Sequence, residues 1–311
     1  MLTTFLDKAG NLLDKGFLLA WWFPVLIAGA AGLLIGIWPG GVTAALDSWE
    51  LHEGLSQTWM FLGALLAVTL VAFLFQAFSR PLVQLFEGYW PPAWRREAMG
   101  LTGLPAQWET WREARHQAAV ADDRPLYALL QDRLYHHYPS QAERLLPTRL
   151  GNVLRAAEDY STTAYGMDAP FWWPRLAPLL PDEIQTAIQD ALTPMLMLLN
   201  LSALAGFLGT TGPLYLAIAG HWWAALVVLL LGALIAWLSY EAAVAQGRSY
   251  GQTLRAAVDL HRFDLLGALH VALPADPAAE RQLWAQLAAW LYNHDRGAVR
   301  ALSYQHPPQK K

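Results

Sequence analysis

The longest stretch of this 311-residue chain without a charged side chain constrains the fold most. The 50 consecutive residues from Ala191 to Tyr240 include no Asp, Glu, Lys or Arg. As one helix they would extend about 75 Å, whereas the hydrocarbon core of a bilayer is about 30 Å thick. The stretch therefore predicts two membrane spans, near Ala191–Gly209 and Trp222–Tyr240. The turn between them is expected at 209–213, where Gly, Thr and Pro cluster.

Two earlier runs predict two further spans. Phe17–Ile37 and Thr58–Phe78 are each 21 residues long and uncharged, which suits one helical crossing apiece. The first run is followed by a Trp-Pro-Gly-Gly turn and not by a cleavage site, so we do not expect a signal peptide. With 55% hydrophobic and 15% charged residues, the chain is expected to be an all-α, polytopic membrane protein with four transmembrane helices. The alternative is a soluble all-α protein with an unusually apolar core.

The distribution of Lys and Arg predicts the orientation. Two precede span one, eleven lie between spans two and three, and eight follow span four, which accounts for all 21. By the positive-inside rule, both termini and the insert between spans two and three face the cytoplasm of a bacterial inner (plasma) membrane. The expected segments are an amphipathic N-terminal segment (1–16), a transmembrane hairpin (17–78), a cytoplasmic helical insert (79–190), a second hairpin (191–240), cytoplasmic C-terminal helices (241–304) and a disordered tail (305–311).

Prolines in the polar segments predict where helices begin. Pro105, Pro125, Pro181 and Pro277 each stand at the start of an amphipathic pattern, where proline is tolerated in a helix. The helix that starts at Pro181 has no stop signal before span three, so it is expected to continue into that span. The region 241–269 also continues the helical pattern of span four.

One short internal repeat joins the two cytoplasmic parts. Gly151–Asp159 (GNVLRAAED) and Gly251–Asp259 (GQTLRAAVD) match at six of nine positions. Arg155 and Arg255 each stand four residues before an Asp, which is the spacing of an intrahelical ion pair. The repeat indicates either two similar packing helices or a shared role in binding a ligand or a subunit.

The segments around this repeat carry a resemblance. LLPTRLGNVLRAAEDY, YGMDAPFWWPRL and SYGQTLRAAVDLHRFDLL resemble uncharacterised bacterial four-span integral membrane proteins. The resemblance implies a four-span membrane fold and no activity. Four spans with cytoplasmic helical extensions are also the layout of bestrophin-type channels, but the similarity is one of layout, without a shared motif.

The residue types and motifs that the sequence lacks exclude several kinds of chemistry. The chain has no Cys, which removes disulfides, thiolate metal sites and cysteine nucleophiles. None of its four Lys follows a Gly, and the sequence contains neither Gly-x-Gly nor His-Glu-x-x-His, so phosphate-loop, dinucleotide and zincin motifs are absent. The adjacent His136 and His137 point about 100° apart on a helix and make a poor chelate. A net charge of −4 disfavours nucleic acid as a partner. We therefore expect no catalytic, cofactor or metal site, and no enzyme.

Span two carries the pattern most typical of a pore. Thr69, Phe73, Gln76 and Arg80 follow one another at steps of four, three and four, and so share a face of the helix and its cytoplasmic exit. Copies of this face in an oligomer are expected to line a pore, with Phe73 as a constriction and Arg80 as a ring of charge. The alternative is that Gln76 joins helices and Arg80 anchors the span at the interface.

Two further groups complete the expected assembly. Asp47, Glu50 and Glu53 are predicted to form an acidic external mouth or a solvated face, while Gly29, Gly32 and Gly36 form a small-residue stripe that suits close packing of span one. The resulting hypothesis is a homo-oligomeric, ion-conducting pore in the lipid bilayer. The competing hypothesis is a non-conducting scaffold that binds a cytosolic protein partner.

Overall fold

The computed structural model describes residues 15–52, 54–90, 104–120 and 124–293. Over these ranges the chain is all-α and contains no β-strand. It divides into a first unit, Met1–Phe86 with Leu192–Gln246, and a second unit, Glu87–Ala191 with Gly247–Lys311.

The helices are as follows: α1 Lys15–Gly40, with a π-helical turn over Leu18–Trp22 and a 3-10 turn over Trp38–Gly40; α2 Val42–Glu50; α3 Gly54–Ala77; α4 Ser79–Glu87; α5 Leu104–Val120; α6 Arg124–His137; α7 Arg149–Tyr165; α8 Ala169–Leu176; α9 Asp182–Ile218; α10 Trp222–Ala268; and α11 Pro277–Asn293. Four of them, α1, α3, α9 and α10, are long and apolar enough to cross a membrane. The expected continuation of the helix near Pro181 into the third apolar segment is confirmed, because α9 is one unbroken helix.

The turn expected at 209–213 is wrong. Helix α9 continues through Pro213 to Ile218, and the chain reverses at Gly220, whose φ is +84°. There the His221 N–H donates to the Leu216 carbonyl at 2.8 Å, the closing bond of a Schellman cap. The Thr210 hydroxyl donates to the Gly206 and Phe207 carbonyls of the preceding turn, so this polar side chain is satisfied within the helix. A broken backbone in apolar surroundings would leave more groups unpaired, and this favours the continuous helix.

Helices α9 and α10 touch through their backbones in the first unit. A Cβ on Gly232 would lie 2.5 Å from the Gly209 Cα, and one on Gly209 would lie 2.9 Å from the Gly232 Cα. Only glycine fits at either position, because real Cβ contacts are never this short. The absence of both side chains lets the two helix axes approach closely.

The glycine stripe of α1 has looser surroundings within the chain. A Cβ on Gly32 would meet the Leu208 side chain at an ordinary 3.6 Å, while one on Gly29 or Gly36 would meet nothing within 4 Å. The Gly36 carbonyl accepts a hydrogen bond from the Tyr215 hydroxyl at 3.1 Å. Close packing of this stripe against a second copy therefore stays a prediction.

Two buried polar side chains tie the apolar helices together. The Asn200 side-chain amide, 1% exposed, donates to the Ala20 carbonyl at 2.6 Å. Ala20 lies in the π-helical turn, where the altered hydrogen-bond pattern gives its carbonyl room for a second partner. Ser202 donates to the Ala236 carbonyl at 2.9 Å. These bonds join α9 to α1 and to α10, in the manner of polar contacts between membrane helices.

The second unit has a hydrophobic core of its own. The rings of Trp172 on α8 and Trp284 on α11 are fully buried and meet edge to face, with centroids 5.0 Å apart. Leu266 of α10 and Leu287 of α11 are also fully buried in this core. Asp276 caps α11, as its position before Pro277 suggests, by accepting the Ala278 and Ala279 N–H groups.

We expect Gly232→Ala to destabilise the first unit, because its methyl group would overlap the Gly209 backbone. Overpacking of this kind costs about 1–3 kcal/mol, which should appear as a lower unfolding temperature of the purified protein in detergent. Gly206→Ala is the matched control, since a Cβ there meets nothing within 4 Å. Equal melting temperatures for the two variants would show that α9 and α10 do not pack at these glycines.

Candidate functional site

The predicted pore-lining residues fall into two environments. The Thr69 hydroxyl accepts a hydrogen bond from the Trp22 indole at 3.2 Å, and the Phe73 ring stacks on Phe17 with centroids 4.6 Å apart. Thr69 and Phe73 therefore contact α1 of the same chain. Gln76 and Arg80 are exposed. A pore lined by all four residues stays a prediction, and two of the four already have partners within the chain.

The predicted acidic mouth lies on α2 and beyond it. Asp47 and Glu50 are both exposed, whereas Glu53 lies outside the described residues. Nothing in the described part of the chain brings a cation-binding arrangement together here, because no group of three or more His, Asp or Glu side chains in the described ranges is placed to hold a metal ion.

The structure instead assembles a polar cavity in the second unit. It has a volume of about 730 Å³, which is within the range of small-molecule pockets. Helices α5, α6, α7 and α10 supply its walls. The lining residues are Trp111, Arg115, Ala119, Tyr127, Gln131, Leu134, Tyr135, Tyr138, Pro139, Ser140, Ala156, Asp159, Tyr160, Thr163, Ala164 and Arg255.

Arg255 is the most unusual of these residues. It is 5% exposed, yet no carboxylate of the described residues lies within salt-bridge distance of its guanidinium. Its Nη2 donates to the Tyr135 carbonyl at 2.7 Å, its Nη1 lies 3.0 Å from the His136 Nδ1, and its Nε has no hydrogen-bond partner. The guanidinium lies over the Tyr135 ring at 4.1 Å. A buried cation is normally paired directly with an anion, whereas the groups in contact with Arg255 are neutral or aromatic, and the charge of Asp259 acts on it without forming an ion pair.

The adjacent histidines of α6 both face arginines of α10. The His136 Nδ1 lies opposite an arginine N–H, so it accepts, and the Nε2 is left to donate to Asp132 at 3.2 Å. His137 Nε2 lies 3.4 Å from Nη1 of Arg248. Burial, reinforced by the Arg248 charge, lowers the pKa of His137 to about 4, and burial also lowers the pKa of His136. Both rings are therefore neutral at pH 7 and add no positive charge beside the arginines.

Asp159 is the one acidic residue that lines the cavity. It is 3% exposed, and Nη1 of Arg144 lies 2.8 Å from its Oδ1. Neither carboxylate oxygen has a partner with hydrogen-bonding geometry, so the contact with Arg144 is electrostatic and not a directed hydrogen bond. Burial raises the pKa of Asp159, and the Arg144 charge opposes that shift. Acceptor capacity is therefore left unused at this wall.

Aromatic side chains form the remaining walls. Tyr135 and Tyr160 meet edge to face with centroids 5.9 Å apart. Trp111 donates its indole N–H to the Pro139 carbonyl at 3.3 Å, which fixes the ring, and Arg115 lies 5.1 Å from that ring. Arg115 is exposed and donates to the Ser140 carbonyl at 3.3 Å. The cavity is thus lined by a buried cation, Arg255, and by an exposed cation, Arg115.

The sequence repeat lies at this cavity. A Cβ on Gly251 would lie 3.0 Å from the Ala157 Cβ, so the two repeat segments pack against each other. The expected ion pairs are not formed: Arg155 pairs with Glu158 instead, and Asp259 accepts from the Tyr160 and Tyr165 hydroxyls at 2.8 and 2.7 Å. An i, i+4 pair contributes only a few tenths of a kcal/mol, so Arg155 pairs with the neighbouring Glu158 at i+3, and both aspartates take partners outside their own turn, Arg144 for Asp159 and the two tyrosines for Asp259. The structure supports the packing interpretation, and Arg255 leaves room for the ligand interpretation.

Comparison with known proteins gives no further guide to this site. No protein family matches the chain, and no curated protein or solved structure is significantly similar to it.

Sequence reasoning found Arg255 through the repeat but missed its aromatic partners. The run Tyr135–Tyr138, with two tyrosines flanking the histidine pair, carries a usable signal, because aromatic rings alternating with titratable groups are uncommon on a solvated helix. No local pattern indicates that Asp159 is buried without a hydrogen bond, since its neighbours come from other parts of the chain.

We expect acid to destabilise the second unit partly through His137. The unfolded imidazole binds a proton near pH 6.5 and the folded one only near pH 4, so the unfolded state holds more protons between these values and stability falls as the pH falls. His137→Asn should therefore show a shallower loss of unfolding temperature between pH 6.5 and pH 4.

The exposed His116 on α5 gives the control, His116→Asn. Glu87, whose pKa burial raises to about 7 from 4.5, acts in the opposite direction, but it is present in both proteins and cancels in the comparison. An unchanged slope in His137→Asn would contradict the buried, neutral state of this ring.

Proposed function

We propose that this chain is an integral membrane protein that anchors a ligand-binding helical unit at the cytoplasmic face. Four helices long and apolar enough to cross a bilayer support the anchor, and the confinement of all Lys and Arg to the termini and the insert supports the orientation. The cavity around Arg255 supports ligand binding. This proposal is close to the non-conducting alternative that the sequence leaves open, a scaffold that binds a cytosolic protein partner, and differs from it in assigning a small-molecule ligand to the helical unit.

The observation that carries the proposal is the buried, unpaired Arg255. Burying a charged group without a direct ion pair is costly, and part of that cost is recovered when an anion binds it. Its bond to the Tyr135 carbonyl, in the last turn of α6, also caps that helix, and the N–H groups that this bond and His136 leave unused are the part of the guanidinium that an anion would bind.

A homo-oligomeric pore is the second candidate. It is favoured by Gln76, an exposed amide at the end of the apolar run of α3, of which only 6% is buried inside the chain. An exposed polar side chain on a span suits a contact with another copy or with water. Bilayer recordings separate the two candidates, because a pore of this kind carries current that Arg80→Glu shifts toward cations, whereas the anchor carries none.

Native mass spectrometry of the protein purified without added ligand tests ligand binding. We expect the wild-type chain to carry a bound small molecule that is absent from Arg255→Gln. Arg175→Gln removes the same charge from an exposed position outside the cavity and should retain the bound mass. If wild-type protein and Arg255→Gln carry the same bound mass, or if neither carries one, the proposal is overturned.

A further inference from the structure

The ligand of this cavity can be specified from its walls, on the basis of the proposed function. We propose that the cavity binds a nucleoside monophosphate, whose phosphate pairs with Arg255 and whose planar base stacks between the aromatic side chains. Three features of the walls lead to this class of molecule.

The first feature is an incomplete set of partners around a guanidinium. Arginine has five N–H donors, and in Arg255 only two contacts, with His136 and with the Tyr135 carbonyl, occupy them. The planar fork of arginine matches the oxygens of a phosphate and binds them in bidentate fashion. The exposed Arg115 brings a second positive charge to the same cavity, against the one negative charge of Asp159. The lining therefore favours an anion.

Hydroxyl groups stand beside these cations. Ser140 and Thr163 lie 3.2 Å apart through their hydroxyl oxygens, and either oxygen can be the donor. Rotating hydroxyls of this kind can turn to donate to a phosphate oxygen. A carboxylate ligand would use the arginines alone, whereas a phosphate, with more oxygens, uses the arginines and the hydroxyls together.

The second feature is a set of flat apolar faces. The Trp111 indole is fixed by its bond to the Pro139 carbonyl, and Tyr135 and Tyr160 stand edge to face beside it. Stacking of a nucleobase on an aromatic side chain contributes about 1–3 kcal/mol and tolerates every base. A saturated sugar phosphate would leave these faces unused.

The third feature is the unused acceptor of Asp159. Its carboxylate lacks a directed hydrogen bond although it is buried in the cavity wall. Exocyclic amino groups of bases and hydroxyls of ribose are donors that suit a carboxylate, and they reach these buried oxygens once the Asp159 side chain turns toward the cavity. Phosphate, planar ring and donor occur together in a nucleoside monophosphate, and its size suits a cavity of about 730 Å³.

Titration of the purified full-length chain in detergent tests the assignment. The probes are the 5′-monophosphates of adenosine, guanosine, cytidine and uridine, with the four parent nucleosides and inorganic phosphate as partial ligands. We expect saturable binding of at least one monophosphate, at least about tenfold tighter than its nucleoside or inorganic phosphate, because charge-assisted hydrogen bonds contribute about 1.5–3 kcal/mol.

Variants identify the site. Arg255→Gln should weaken binding by about tenfold to a hundredfold, and Arg115→Gln, at an exposed position, should weaken it less. Arg175→Gln should bind as the wild type does. If Arg255→Gln does not fold, Arg255→Lys and Arg115→Gln carry the test, since both retain the hydrophobic contacts of the unit.

Failure of the nucleotide assignment can be distinguished from failure of the proposed ligand-binding function. If none of the monophosphates binds saturably, or if Arg255 and Arg115 variants bind them as tightly as wild type, the nucleotide assignment is overturned. If, in that case, a small molecule still purifies with the wild-type chain and is lost from Arg255→Gln, the ligand-binding unit stands and only the ligand class is wrong.

Discussion

Backbone hydrogen bonding in apolar surroundings is the constraint on which the rest of the structure depends. Inside a bilayer, where we propose that the first unit lies, a 50-residue segment without a charge can satisfy its N–H and C=O groups only by staying helical until it reaches polar surroundings. This explains why α9 continues through Pro213 and why the chain reverses only at Gly220. It also explains why the few polar side chains of the first unit, such as Asn200, bond to carbonyls of neighbouring helices.

In the second unit the polar side chains matter more than the backbone, because they determine what the unit can bind. Trp172, Trp284 and their neighbours supply a core that does not depend on the cavity. The cavity of this unit has a buried guanidinium and a carboxylate without a directed hydrogen bond in its walls, and the guanidinium contacts the neutral His136. Such an arrangement costs stability in the empty protein, and sites of this type are typical of binding centres rather than of structural contacts.

Much of the fold could be predicted from the sequence, since apolar length and proline positions are local signals. The four long helices and the helix starts near Pro105, Pro125 and Pro277 agree with the structure. The predicted turn at 209–213 was wrong. In this long apolar segment, continuous helical hydrogen bonding outweighs the loop preference of the residues GTTGP. The site could not be predicted for a different reason: the partners of Arg255 come from α6, which is 119 to 120 positions away along the chain, and from Tyr160 of α7, and no local pattern joins them. The predicted i, i+4 ion pairs were wrong, because Arg155 pairs with Glu158 at i+3 and both aspartates have partners from other parts of the chain.

Cysteine labelling tests the central claim most directly, because the chain has no cysteine of its own. Ser48→Cys lies on the exposed α2, and Glu183→Cys lies at the exposed start of α9. In intact cells, a membrane-impermeant maleimide added from outside should label position 48 and should label position 183 only after permeabilisation. Labelling of position 183 in intact cells would contradict a cytoplasmic ligand-binding unit, and equal labelling of both positions in a soluble fraction would contradict the membrane anchor.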